Sequence, residues 1–153
     1  MTESSNGATS GVPSNLNQLM KWDGNLNQDA SIVIERPGGF KMTVVCTSMS
    51  DDQQNEYEEQ CAEWTSRRGT PTKTVDEIKL IKLYVLNHVA DPDLNDPELQ
   101  GKFNPNNAMR PEIIISKIFL PGELMKIGRL ILKLSGFDDL ADVDNQIENL
   151  IRN

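Results

Sequence analysis

Residues 74–89 read Thr74-Val75-Asp76-Glu77-Ile78-Lys79-Leu80-Ile81-Lys82-Leu83-Tyr84-Val85-Leu86-Asn87-His88-Val89. Thr74-Val75-Asp76-Glu77 has the T-x-x-E form of a capping box, whose hydroxyl and carboxylate satisfy backbone N–H groups left open at a helix start. Beyond it, Ile78, Leu80, Ile81, Leu83, Tyr84, Val85 and Val89 surround most of a helical surface. A helix apolar on nearly all sides needs other elements around it, so this one is expected at the centre of the core. It should stop at Asp91-Pro92, because a residue before proline is pushed out of the helical region.

Working towards the C-terminus, Asp96-Pro97 has the form of an N-cap followed by N1, opening a short helix that carries Leu99. Residues 101–109 read as a loop. Pro111 opens a further helix with Ile113, Ile114, Ile115, Ile118 and Phe119 as its apolar face. Pro121 occupies N1 of the next, where Leu124, Ile127, Leu130, Ile131 and Leu134 recur at helical spacing. Gly136 should end that helix in the left-handed region, with Phe137 packing back on it as the C″ residue of a Schellman motif. A last amphipathic helix is expected over about 139–152, with Leu140, Val143, Ile147, Leu150 and Ile151 on one side.

Working towards the N-terminus, Ser50-Asp51-Asp52-Gln53 is another capping box. Its helix is expected to run to about Arg68, with Gly69 as the C′ residue and Pro71 preventing continuation. Tyr57, Cys61 and Trp64 would form its thin buried stripe. Before it, Ser31-Ile32-Val33-Ile34-Glu35 and Phe40-Lys41-Met42-Thr43-Val44-Val45-Cys46 flank the turn Arg36-Pro37-Gly38-Gly39. That pattern predicts a β-hairpin with Phe40, Met42 and Val44 on its packed side. Residues 1–30 are rich in Ser, Asn, Gly and Gln and read as a flexible polar arm. Leu16, Leu19 and Met20 nonetheless sit at helical spacing, which leaves a short docking helix open. The expected fold is therefore mainly α: five or six helices with an N-terminal β-hairpin over 31–153, preceded by the arm over 1–30.

Composition narrows the chemistry. The chain has 153 residues, a formal charge of −8, two cysteines and one histidine. No run of about 18 apolar residues is present, so no membrane helix is expected, and the N-terminal residues have no secretory pattern. Cys46 and Cys61 suit reduced thiols in a cytosolic protein. With one histidine they do not make a four-ligand zinc site. His88 has no neighbouring nucleophile or orienting acid in a recognisable motif, so it reads as a structural histidine on the core helix. Asp91-Pro92-Asp93-Leu94-Asn95-Asp96 lacks calcium-loop spacing, and Gly38-Gly39 is not followed by a phosphate-binding helix. Catalytic, metal and cofactor sites are all expected to be absent. Arg110, Lys117, Lys126, Arg129 and Lys133 give 110–133 a local positive excess. A recognition helix after the Ser135-Gly136-Phe137 turn would start with Asp138, Asp139, Asp142 and Asp144, which repel phosphates, so no nucleic-acid partner is expected.

Three segments carry a family resemblance. Asp91-Pro92-Asp93-Leu94-Asn95-Asp96-Pro97-Glu98-Leu99-Gln100 resembles the P-x-L-x-D-P-E-L-Q segment of the XkdN-like phage tail assembly chaperones. Phe119-Leu120-Pro121-Gly122-Glu123-Leu124 is similar to that family's L-L-P-G-E segment, and Leu134-Ser135-Gly136-Phe137 to its L-S-G-F ending. Order and separation also fit, and the resemblance spans about 31–150. Each motif residue also has a structural reading. Asp96 is an N-cap, Pro97 and Pro121 sit at N1, Gly122 lies in a first turn and Gly136 is a C-cap. Leu94, Leu99, Leu120, Glu123, Leu134, Ser135 and Phe137 accompany them.

The resemblance implies a non-catalytic protein of the bacterial host cytoplasm. Its implied partners are the phage tape-measure protein and tail-tube subunits, and it is expected to be absent from the mature particle. A second copy could pair with the hairpin's apolar face or free edges. The interface candidates are Leu16, Leu19 and Trp22 on the arm, and Val143, Ile147, Leu150 and Ile151 on the last helix. The alternative is a structural tail or neck protein retained in the particle.

Overall fold

A computed structural model describes residues 11–137 of the chain, with side chains from residue 14 onward. Helix α1 (Gly11–Lys21) comes first, then strands β1 (Asp29–Arg36) and β2 (Phe40–Thr47) and helix α2 (Asp51–Gln60). Strands β3 (Ala62–Arg67) and β4 (Thr70–Val75) lead into helix α3 (Glu77–His88) and strand β5 (Val89–Asp91). Helix α4 (Pro97–Phe103), a 3-10 turn (Pro111–Ile113), helix α5 (Ile114–Ile118) and helix α6 (Pro121–Leu134) complete the described chain.

Helix α3 is the centre that its composition demands. It touches α2, β5, the 3-10 turn, α5 and α6, and Leu80, Ile81, Leu83, Tyr84, Val85 and Leu86 are all buried. Its cap differs from expectation. Asp76, not Thr74, is the N-cap, and its carboxylate accepts from the Lys79 N–H at 3.1 Å. Helix α6 lies across α3 and the sheet of β1 and β2. It approaches α3 closely at Gly128, where a Cβ would stand 2.6 Å from Ile81 Cδ1 and 2.9 Å from Ile81 Cγ1. Gly128→Val should therefore overpack the α3–α6 contact and cost about 1–2 kcal/mol in urea unfolding. An unchanged midpoint would mean that the two helices separate freely.

The mainly α reading with a single hairpin is corrected. The described residues hold five strands in two antiparallel sheets, β1-β2-β5 and β3-β4. The helix expected to reach Arg68 ends at Gln60, with Cys61 as its cap. Arg67 pairs with Thr70, so Arg68 and Gly69 form a two-residue turn, with φ of 54° and 78°. Two successive positive φ values match the twist of a hairpin and not a helix end. Gly69 supplies the left-handed backbone expected of it, but inside a strand reversal. Strand β5 was also absent from the expected fold. Val89 pairs with Cys46 and Asp91 with Val45, a contact made across about forty residues that no local pattern announces.

The first hairpin forms in the expected place, with Ala30 opposite Cys46 and Arg36 opposite Phe40. Gly38 and Gly39 both take positive φ in its turn. Val44 and Cys46 are fully buried and Met42 partly so, but Phe40 is 44% exposed. Phe40 sits at the strand tip, where the Arg36 guanidinium covers its ring at 4.7 Å. Residues 1–10 and the last expected helix, with Leu140, Val143, Ile147, Leu150 and Ile151, lie outside the described residues.

Candidate functional site

Two elements stand out from the core. The first is α1. Every residue from 14 to 29 is exposed, and Leu16 (60%), Leu19 (65%) and Met20 (77%) share one side of the helix at i, i+3 and i+4. Three exposed large apolar residues in one stripe form a surface that water does not stabilise. The base of this element is tied down. Gln28 N–H donates to Ser48 Oγ and Ser48 N–H donates to the Gln28 carbonyl, both at 2.9 Å. Trp22 and Leu26 then line a groove of about 420 Å³ with Met49, Leu134, Ser135 and Gly136. Residues 11–21 form the short helix that the spacing of Leu16, Leu19 and Met20 left open.

The second element is the β3–β4 ribbon, which the sequence reading missed. Its strands are exposed on both faces apart from their ends at Ala62 and Val75. Trp64 is 64% exposed on β3, not part of a buried stripe. Lys73 lies 5.9 Å from its ring centre and bonds Glu59 at 2.7 Å. A two-stranded ribbon is marginal in water by itself, so one that carries an exposed tryptophan is a second interaction candidate. The alternation that would have revealed it is weak, because Thr, Ser, Lys and Arg occupy both faces.

The motif residues hold the scaffold. Leu94 is fully buried. Asp96 Oδ1 accepts from the N–H groups of Glu98 and Leu99 at 2.9 and 3.0 Å, with Pro97 at N1. Leu99 packs partly on the core. Gln100 Nε2 donates to the carbonyls of Leu94 at 2.8 Å and Pro111 at 3.2 Å, joining the loop before α4 to the 3-10 turn.

Glu123 accepts three hydrogen bonds, from two donor residues. It accepts from Leu120 N–H at 2.9 Å, closing the start of α6. It also accepts from Arg36 Nε at 2.9 Å and from the same guanidinium's terminal nitrogen at 2.6 Å. That guanidinium further donates to the Ile118 carbonyl at 2.5 Å. The Arg36 bond holds the Glu123 carboxyl below its usual range despite partial burial. Leu120 itself is 56% exposed, and Pro121 and Gly122 lie at the exposed helix start.

At the other end of α6, Ser135 Oγ accepts from Met49 N–H at 2.9 Å and donates to the Ile131 carbonyl at 2.7 Å. Gly136 (φ 98°) and Phe137 donate to the carbonyls of Lys133 and Leu132, the paired bonds of a Schellman motif. Leu134 and Phe137 pack partly on the core.

His88 is 4% exposed. Its Nε2 shares a 2.9 Å hydrogen bond with the Tyr57 hydroxyl, and burial lowers its pKa. The ring is thus a neutral bridge between α2 and α3. Cys46 and Cys61 are free and buried, and burial pushes the Cys46 thiol up to about 11, far from a reactive thiolate. Among the described residues, no group of three or more His, Cys, Asp or Glu is placed to hold a metal. No described helix is long and apolar enough to cross a membrane.

The family model for the phage XkdN-like tail assembly chaperone protein matches residues 16–151. The chain belongs to this family. The match reaches back to Leu16, within α1, and so extends beyond the 31–150 span of the three motifs. No curated protein and no solved structure matches the chain. In this tail assembly chaperone, Leu94, Asp96, Glu123 and Ser135 of the motifs hold joints of the scaffold, while Leu16, Leu19 and Met20 on α1 and Trp64 on the β3–β4 ribbon are among the exposed apolar side chains.

Proposed function

We propose that the chain acts in phage tail morphogenesis as a non-catalytic chaperone. It binds the tape-measure protein, and tail-tube subunits with it, through the apolar side of α1. The exposed row of Leu16, Leu19 and Met20 carries this reading. A tape-measure protein is expected to be a long chain with apolar helical stripes that aggregate when bare. A helix such as α1 can lie against such a stripe, and burying each leucine contributes about 1.5–3 kcal/mol before ordering costs. The formal charge of −8 helps keep the complex dispersed. Binding takes place in the host cytoplasm, and the chaperone leaves before the particle is complete.

Co-expression with the tape-measure protein of the same genome tests this. The tape measure should become soluble and co-purify. Leu16→Asp with Leu19→Asp should weaken capture at least about tenfold while circular dichroism of the chaperone stays unchanged. Undiminished capture by that variant would remove α1 from the contact, and no capture by the unaltered chain would remove the tape measure as partner. Mass spectrometry of purified particles should find the tape measure and not this chain. Its retention there would support a structural tail or neck protein instead.

A further inference from the structure

Outside the two projecting elements, the described surface holds an apolar groove of about 470 Å³ between strand β1 and helix α6. Its floor includes Ile32 and Leu130, and its rim carries Lys126, Arg129 and Lys133. On α6 these four residues stand at i, i+3, i+4 and i+7, so the groove follows one flank of the helix. It also follows the outer side of β1, which is the edge of its sheet. Sheet edges are aggregation sites unless something covers them. The rim is basic in a chain whose net charge is −8, so the fitting occupant is apolar on one side and acidic at its flanks.

The chain carries such a segment immediately after α6. Residues 138–153 place Leu140, Val143, Ile147, Leu150 and Ile151 on one helical stripe. Asp144 and Glu148, four apart, flank the stripe on one side and Asp139 on the other. The Schellman bonds of Gly136 and Phe137 end α6 at the mouth of this segment. A helix over 139–152 would match the length of α6, about 20 Å at 1.5 Å per residue. Counting equally outward from Gly136–Phe137 for an antiparallel return sets Val143 against Leu130 and Asp144 beside Arg129, with Glu148 one position from Lys126. So short a tether also gives this segment a far higher effective concentration at the groove than a separate chain would have.

We propose that residues 138–153 of the same chain fold back as an amphipathic helix into the β1–α6 groove and cover the β1 edge. Val143, Ile147 and Leu150 are then occupied within the chain, while Leu16, Leu19 and Met20 on α1 and Trp64 on β3 stay open to other proteins. The proposal concerns the chaperone alone and does not depend on which tail protein it binds.

Two measurements on the full chain test it. In Leu130→Cys with Val143→Cys, mild oxidation should form an internal disulfide within a monomer. It should do so at least about tenfold faster than in Leu130→Cys with Asp142→Cys, whose second thiol lies off the stripe. Equal rates, or no internal disulfide, would overturn the proposal. A covalent dimer would overturn it in favour of a second copy's segment filling the groove. The unaltered chain supplies a measure independent of cysteine variants. Amides of 143–150 should exchange at least about tenfold more slowly than in an unstructured peptide. In Val143→Asp with Ile147→Asp that protection should vanish and exchange in β1 should rise, while α3 keeps its protection. Unprotected 143–150 amides in the unaltered chain would also overturn it.

Discussion

Leu94→Ala is expected to destabilise the chain by about 3 kcal/mol, within the range of leucine truncations in closed cores. Leu94 is fully buried in the loop between β5 and α4. Its carbonyl is held by Gln100 Nε2, which also binds the Pro111 carbonyl. The loop therefore has little freedom to collapse into the space left behind, and the cavity cost adds to the lost transfer free energy. For a chain of this size, about 3 kcal/mol lowers the melting temperature by about 6–12 °C. Thermal unfolding followed by circular dichroism measures it. A shift under about 2 °C would show that Leu94 is not the anchor of its motif.

Glu123→Ala should cost about 2–3 kcal/mol, because it strips hydrogen bonds from a charged donor and from a helix N-terminus together. The loss leaves the Arg36 guanidinium with its bond to the Ile118 carbonyl, and leaves Leu120 N–H without its carboxylate. Glu123→Gln keeps one acceptor oxygen but loses the charge, and should cost less. The pH dependence separates charge from shape. The folded-state pKa of Glu123 lies below its ordinary value, chiefly through the Arg36 hydrogen bond. The unfolded chain thus binds more protons at this site, and stability rises with pH there. The contribution is complete above the unfolded value of about 4.3 and disappears as pH falls through the lower folded value. In urea unfolding, the gap between the unaltered chain and Glu123→Gln should be constant above about pH 6 and narrow in acid. A gap independent of pH would mean that the pair acts by packing alone.

The sequence readings that succeeded rest on local punctuation. Pro97 and Pro121 lack an N–H and begin helices where none is needed. Gly136 ends α6 because its φ of 98° costs a glycine nothing. The turn at Pro37-Gly38-Gly39 places β1 against β2, and the apolar wrap of α3 buries it. The failure over 62–75 has an equally local cause. Arg67-Arg68-Gly69 can end a helix or reverse a strand, and the spacing of Tyr57, Cys61 and Trp64 serves either. No alternation of apolar residues separates the two, because the ribbon buries almost nothing.

The family, too, was legible in the order of three short motifs, because their residues cap, stop and plug elements that the chain must form. What the sequence could not supply was their partners. Arg36 and Glu123 meet across 87 positions, Met49 and Ser135 across 86, and Val89 finds β2 only after α3 has crossed the core. Such contacts depend on where packed elements bring distant backbone, and no periodicity encodes that. Exposure is of the same kind. Leu16, Leu19 and Trp64 are apolar letters in the sequence, and only the packing of the other elements leaves them facing water. Local chemistry thus determined the helix starts at Pro97 and Pro121, the helix stop at Gly136, the first hairpin and the family. Tertiary structure alone decided the second hairpin, the charged clasp at Glu123 and which apolar side chains remain open to a partner.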